Sequence, residues 1–114
     1  MNPREMYFSN HWVKDRKERL EQIDYVLRKD WGIVIGKVWD TERNSWQYMT
    51  DTGLLFIMDE FEQFIITMYI PSKSHFLRFF KMIGQEPSEK LVKRAKRNSY
   101  RARAWDENFL EKVA

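Results

Sequence analysis

The chain has 114 residues, about the length of one domain, and its composition is globular: 43% hydrophobic, 16% aromatic and 32% charged. It contains no cysteine, which excludes disulfides, thiolate chemistry and the usual structural zinc sites. No apolar run is long enough to span a bilayer, and the N-terminal sequence lacks the apolar stretch of a secretory signal. We therefore expect one domain over residues 1–114, in the cytoplasm and without a membrane segment.

The first periodic segment predicts a helix over residues 10–30. Its apolar residues recur at helical spacing, notably Leu20, Ile23 and Leu27. Arg16 falls in the middle of this apolar face, within about 40° of those residues on a helical projection. Its guanidinium either extends to the edge of the face or points into a cleft beside the helix, where it could bind phosphate.

The pattern changes to strands after Gly32. Segments rich in β-branched and aromatic residues predict strands over residues 33–39, 45–50, 54–58 and 63–70. The three connections between them are short and polar, so consecutive strands should be antiparallel neighbours. Residues 33–70 therefore predict a four-stranded antiparallel β-meander.

Two further helices are predicted after Pro71, over residues 74–84 and 88–113. Together with the first helix and the meander they define an α+β fold. The last helix carries an apolar stripe, formed by Leu91, Ala95, Ala102, Trp105, Phe109 and Val113. The stripe either packs across the sheet or docks on a partner, for which a second copy of the chain is one possibility.

Positive charge is concentrated in the last helix, although the net charge of the whole chain is only +3. A basic stripe without any acidic residue contains Lys90, Lys93, Arg94, Lys96, Arg97, Arg101 and Arg103. Such a stripe suits a polyanion, because contacts with phosphates release counterions. An ordinary solvated helix face has the same appearance, and both interpretations stay open.

Few other residues form a motif with chemical meaning. The two histidines, His11 and His75, do not have metal-ligand spacing, and no glycine-rich phosphate loop is present. No metal or cofactor is therefore predicted. Thr67 and Tyr69 should share one face of the fourth strand, because side chains alternate along a strand. Aromatic residues of the second strand, such as Tyr48, either pack in the core or stack on unpaired bases.

Three short motifs point together to one family. His11 opens a basic helix that contains Arg19, residues 51–53 make a tight turn into an apolar strand, and residues 65–69 read Ile-Ile-Thr-Met-Tyr. Over residues 10–70 the chain resembles small ribonuclease toxins of the barnase–EndoU–colicin–RelE (BECR) superfamily. The resemblance implies metal-independent RNA cleavage, in which the 2′-hydroxyl of the substrate attacks the adjacent phosphate.

The resemblance also implies roles for individual residues. His11 would be the general acid or base, and Arg16 or Arg19 would stabilise charge on the phosphate. Thr67 and Tyr69 would position the substrate. A toxin of this kind would have RNA as its ligand, a neutralising protein as its partner and no cofactor.

Two other functions fit the same sequence. One is a non-catalytic module that binds nucleic acid through the basic stripe of residues 90–103 and dimerises through the last helix. The other is a phage or mobile-element protein that inhibits a host factor by protein contact. The position of His11, the arginines, Thr67 and Tyr69 in the fold is the observation that would distinguish cleavage from binding.

Overall fold

The computed structural model describes residues 7–8 and 16–113, and it describes side chains over residues 17–107. Within these residues the elements follow in the order β1 (Tyr7–Phe8), α1 (Arg16–Leu27), β2 (Val34–Asp40), β3 (Ser45–Thr50), β4 (Leu55–Met58), β5 (Phe64–Tyr69), α2 (Lys73–Met82) and α3 (Glu89–Val113). The predicted α+β fold is confirmed, with an N-terminal helix, four antiparallel strands and two C-terminal helices. The predicted part of the first helix that precedes residue 16 lies outside the described residues.

The strands form one sheet in the order β1-β5-β4-β3-β2, counted over the described residues. Strands β2 to β5 pair antiparallel with their neighbours in sequence, as predicted. The short strand β1 was not predicted. It pairs parallel with β5 and forms the edge of the sheet opposite β2. Two residues are too few to show the alternating pattern by which a strand is recognised.

Short polar turns position the strands. The Asp40 carboxylate accepts hydrogen bonds from the backbone N–H groups of Glu42 and Arg43, at 3.0 and 3.3 Å, and so fixes the β2–β3 turn. The Asp59 carboxylate does the same in the β4–β5 turn, accepting from the N–H groups of Gln63 and Phe64 at 2.8 and 2.7 Å. An aspartate that satisfies two turn N–H groups is a common way to close a hairpin.

Each face of the sheet is covered by its own hydrophobic cluster. On one face, α1 contributes Ile23, Val26 and Leu27 to a cluster with Ile65 and Met68 of β5. We call this the α1 face. On the other face, α2 contributes its three buried phenylalanines to a cluster with alternate residues of the same strands. We call this the α2 face, and the sheet is thus the middle layer of three.

Helix α3 contacts both faces, because it crosses the end of the sheet. Leu91 and Ala95 belong to the cluster on the α2 face, whereas Ala102 belongs to the cluster on the α1 face. Between them, the buried Asn98 donates a hydrogen bond of 2.8 Å to the carbonyl oxygen of Thr52, in the β3–β4 turn. In the described part of the predicted apolar stripe, Leu91, Ala95 and Ala102 therefore pack within the chain, whereas Trp105 is half-buried; the side chains of Phe109 and Val113 lie outside the described part.

None of the helices in the described residues combines the length and the apolar character that crossing a bilayer requires.

Candidate nucleic-acid interface

The helix geometry of α3 divides the seven cations of the basic stripe into two sets. Four of them are spaced by four, three and four residues, which places them within about 60° of one another on the helix; they are Lys90, Arg94, Arg97 and Arg101. The other three are exposed on α3, and we call them the outer cations: Lys93, Lys96 and Arg103.

The first set lines a cavity of about 230 Å³ between α3 and the C-terminal end of α1. Arg28 enters the cavity from the turn that follows α1, and the remaining lining residues are Val26, Leu27 and Asn98. We call this cavity the basic groove; its cations are Arg28, Lys90, Arg94, Arg97 and Arg101. Among residues 17–107, no acidic residue lines the groove and no carboxylate forms an ion pair with its cations. The groove thus concentrates five positive charges on one concave surface.

The backbone at Arg28 is in an unfavourable conformation. Arg28 and Lys29 have φ values of 54° and 64°, in the left-handed region that favours glycine. This conformation ends α1, because the N–H of Lys29 turns back to the carbonyl oxygen of Asp24 at 2.8 Å. A strained residue that contributes a side chain to a cavity is a candidate for a functional role. The strain at Arg28 therefore supports a function for the groove.

Replacing Arg28 with glycine should have opposite effects on stability and on binding. Arg28→Gly should raise the free energy of unfolding by about 1 kcal/mol, because glycine adopts positive φ without a steric penalty. It should also weaken binding of a polyanion, because it removes one cation of the groove. Arg28→Gln is the matched control, since it removes the charge but keeps the strain. Urea denaturation and fluorescence anisotropy with a labelled oligonucleotide check both quantities; a glycine variant that is less stable than the glutamine variant would contradict the assignment of strain.

Two aromatic rings lie beside the groove, that of the exposed Tyr25 and that of the half-buried Trp105. The Arg101 guanidinium lies 5.3 Å from the centre of the Tyr25 ring, and that ring lies 5.2 Å from the ring of Trp105. Tyr25 is 51% exposed, so one part of its ring is open to a ligand. Aromatic rings next to cations are the combination with which proteins bind single-stranded nucleic acids, because the rings stack on bases while the cations contact phosphates.

A second cavity, of about 300 Å³, adjoins the groove. Lys90 and Arg94 line both cavities, and the second one is completed by Ile35, Asp51, Ser88 and Leu91. Because the two cavities share two cations, they form one continuous surface that is longer than a single phosphate group. An extended polymer fits such a surface better than a compact small molecule does.

The residues predicted to be catalytic do not all lie together. His11 lies outside the described residues, and Arg16 begins α1 with its side chain outside the described part. Arg19 is exposed on α1. Thr67 and Tyr69 do share a face of β5, as predicted, and it is the α2 face. Thr67 pairs with Ile57, which belongs to the cluster on that face, and Tyr69 packs against the same cluster. Arg19 does not lie beside Thr67 and Tyr69, because α1 covers the opposite face of the sheet, and the catalytic roles of these residues stay predictions.

The aromatic residues of β3 belong to the core rather than to a binding surface. Tyr48 is 1% exposed and its ring stacks on Phe56 at 4.8 Å, and its hydroxyl donates a hydrogen bond to Glu62. Trp46 is half-buried, and the Lys37 ammonium lies 4.6 Å from the centre of its ring. Of the two interpretations of these rings, core packing is correct for Tyr48.

Neither metal binding nor similarity to a known protein identifies the site. Among the described residues, no three histidine, aspartate or glutamate side chains are grouped so that they could hold a metal ion. Comparison with known proteins finds no matching family profile, no matching curated protein and no matching solved structure. The resemblance to BECR toxins stays a prediction, and the groove is the feature of the described residues that points to a function.

Sequence reasoning found the cations of α3 but missed Arg28 and Tyr25. The spacing of Lys90, Arg94 and Arg97 was a readable signal that these residues share one helix face. No comparable signal marks Arg28 or Tyr25, because their proximity to α3 depends on how α1 packs against it.

Proposed function

We propose that this protein binds single-stranded nucleic acid, RNA in the first instance, in the basic groove between α1 and α3. The observation that carries the proposal is the convergence of five cations, from α3 and from the turn that follows α1, on one concave surface that no acid among residues 17–107 lines. A solvated helix face would need no such convergence, and it would not place a strained arginine opposite the cations of α3.

The groove favours single strands over duplexes for a physical reason. Stacking on an aromatic ring requires a base whose face is exposed, and such bases occur in single strands and loops. Tyr25 and Trp105 offer their rings beside Arg101, at the edge of the groove. Phosphates would lie along the cations while one or two bases stack on the rings. Stacking of this kind tolerates any base, so we expect weak sequence preference.

The test compares two triple variants with the same change in charge on the same helix. Lys90→Gln, Arg94→Gln and Arg97→Gln remove three groove cations, whereas Lys93→Gln, Lys96→Gln and Arg103→Gln remove the three outer cations. If each groove cation contacts one phosphate, the slope of log affinity against log salt should fall in magnitude by about 2 in the groove variant. The outer variant should keep the slope of the natural sequence. Anisotropy with a labelled RNA of mixed sequence measures both, and circular dichroism verifies that the variants fold.

Equal losses in the two variants would contradict a specific groove and leave only general charge attraction. Absence of salt-dependent binding to RNA and to DNA of the same sequence would remove nucleic acid from the proposal. The same RNA samples, incubated in EDTA, test the cleavage expected from the resemblance. Products with a 2′,3′-cyclic phosphate, formed about 10²–10⁴-fold more slowly by His11→Ala, would add catalysis to binding.

A further inference from the structure

A second basic cluster lies on the α2 face of the sheet, and it shares no residue with the basic groove. A small cavity, of about 20 Å³, is lined by polar and charged side chains from three elements and one turn. Arg43 comes from the β2–β3 turn, Tyr69 from the end of β5, and His75 and Arg78 from α2. Gln47 and Leu55 complete the lining. The rings of Tyr69 and His75 lie close to each other, with 6.2 Å between their centres.

The cluster is positively charged and offers mainly hydrogen-bond donors. In residues 17–107 no carboxylate forms an ion pair with Arg43, His75 or Arg78. The first turn of α2 contains no acidic residue, so its N-terminal partial positive charge adds to that of the guanidinium groups. The buried amide of Gln47 is held by the carboxylate of Asp40, to which it donates at 3.0 Å.

Tyr69 is available to the cavity as a donor. Burial raises the pKa of its hydroxyl above the ordinary value, and the positive charges of Arg43 and Arg78 offset only part of this effect. The hydroxyl therefore stays protonated at neutral pH. It adds a neutral donor to two charged ones.

We propose that this cluster binds the phosphate group of a phosphate monoester. A monoester carries a charge of about −1.5 to −2 at neutral pH and three terminal oxygens, which suits two guanidinium groups that can each bind two oxygens. A carboxylate carries only one charge, and a phosphodiester also carries one. A cavity of this size holds one or two water-sized groups, so the terminal oxygens would enter and the rest of the ligand would stay outside.

The experiment follows the side chain of His75 by NMR while ligand is added. His75→Gln identifies its signals, because the chain has only one other histidine, His11. We expect saturable shifts with inorganic phosphate and with AMP, and none with adenosine or acetate. Tighter binding of AMP than of phosphate would show that a nucleotide is the ligand, and equal affinities would point to the phosphate group alone.

Variants locate the site. Arg43→Gln and Arg78→Gln should each weaken phosphate binding about tenfold or more, since each removes a charge-assisted hydrogen bond. Lys73→Gln is the matched control on α2, because Lys73 is exposed and does not line the cavity; it should bind phosphate as the natural chain does. Arg94→Gln should also leave phosphate binding unchanged, which separates this cluster from the basic groove. If the natural chain shows no saturable shift of His75, or if Arg43→Gln and Arg78→Gln bind phosphate with undiminished affinity, the proposal is overturned.

Discussion

Replacing Phe79 with alanine is expected to lower the free energy of unfolding by about 3–5 kcal/mol. Phe79 is 1% exposed, and its ring meets that of Phe80 edge-on with 5.5 Å between centres. It also lies over Gly36, where a Cβ atom would come within 3.6 Å of the ring. Removing the ring would leave a cavity between α2 and the sheet that neighbouring residues cannot fill without moving the helix.

Leu77→Ala is the control for this prediction, because Leu77 lies on the same helix and is 40% exposed. Its loss should cost no more than about 1 kcal/mol, since less apolar surface is withdrawn from water there. Urea unfolding followed by tryptophan fluorescence gives both values. Equal costs for the two variants would mean that α2 is not anchored through Phe79. Equal costs would also weaken the case that the second basic cluster has a fixed geometry, because α2 carries two of its residues, His75 and Arg78.

The second large effect is expected at the junction between α1 and β2. Gly32 has a φ of +76°, and a Cβ atom there would overlap the Asp51 carboxylate and lie 2.7 Å from the Thr52 methyl group. Both neighbours have fixed roles: Asp51 accepts from the N–H of Ile33 at 3.0 Å, and the Thr52 hydroxyl donates to the Trp31 carbonyl at 2.8 Å. Gly32→Ala should therefore cost about 2–4 kcal/mol, from the left-handed backbone and the overlap together.

Gly84→Ala separates these two contributions. Gly84 also has positive φ, at +70°, but nothing lies within 4 Å of its Cβ position. It should show only the backbone cost of about 1–2 kcal/mol. The difference between the two alanine variants, measured by the same denaturation, is the cost of the overlap. A difference near zero would show that Asp51 and Thr52 move aside easily, contrary to the close packing at this junction.

Much of the fold could be predicted from local patterns. Strand β3 has the predicted limits, Ser45–Thr50, and α3 begins at Glu89, one residue from its predicted start. These segments have clear periodicity and are bounded by turn or capping residues such as Ser88, whose hydroxyl accepts from the N–H of Leu91 at 3.1 Å. Local patterns also predicted correctly that Thr67 and Tyr69 share a face.

What the sequence could not supply is which face of the sheet each helix covers. An alternating strand such as β5 has apolar residues on both sides, with Ile65 on one face and Ile66 on the other. Neither side is marked as the one that α1 will cover, so the pattern alone does not tell whether Arg19 lies beside Tyr69 or on the opposite side of the sheet. The basic groove and the second basic cluster, around His75, could not be predicted for the same reason. Arg28 and Arg43 reach these sites from connections whose direction depends on how the helices and the sheet pack.

The path of α3 across the end of the sheet has a consequence for the order of events during synthesis. Asn98 joins α3 to the β3–β4 turn, and Gln22 on α1 donates to the carbonyl of Ala102 at 3.2 Å and to Asp106 at 2.8 Å. Until this part of α3 leaves the ribosome, α1 and the meander lack the element that closes both hydrophobic faces. Four of the five groove cations are also missing until then. A nascent chain would therefore expose apolar surface until α3 has been synthesised, and the cations of the basic groove would come together only at that stage.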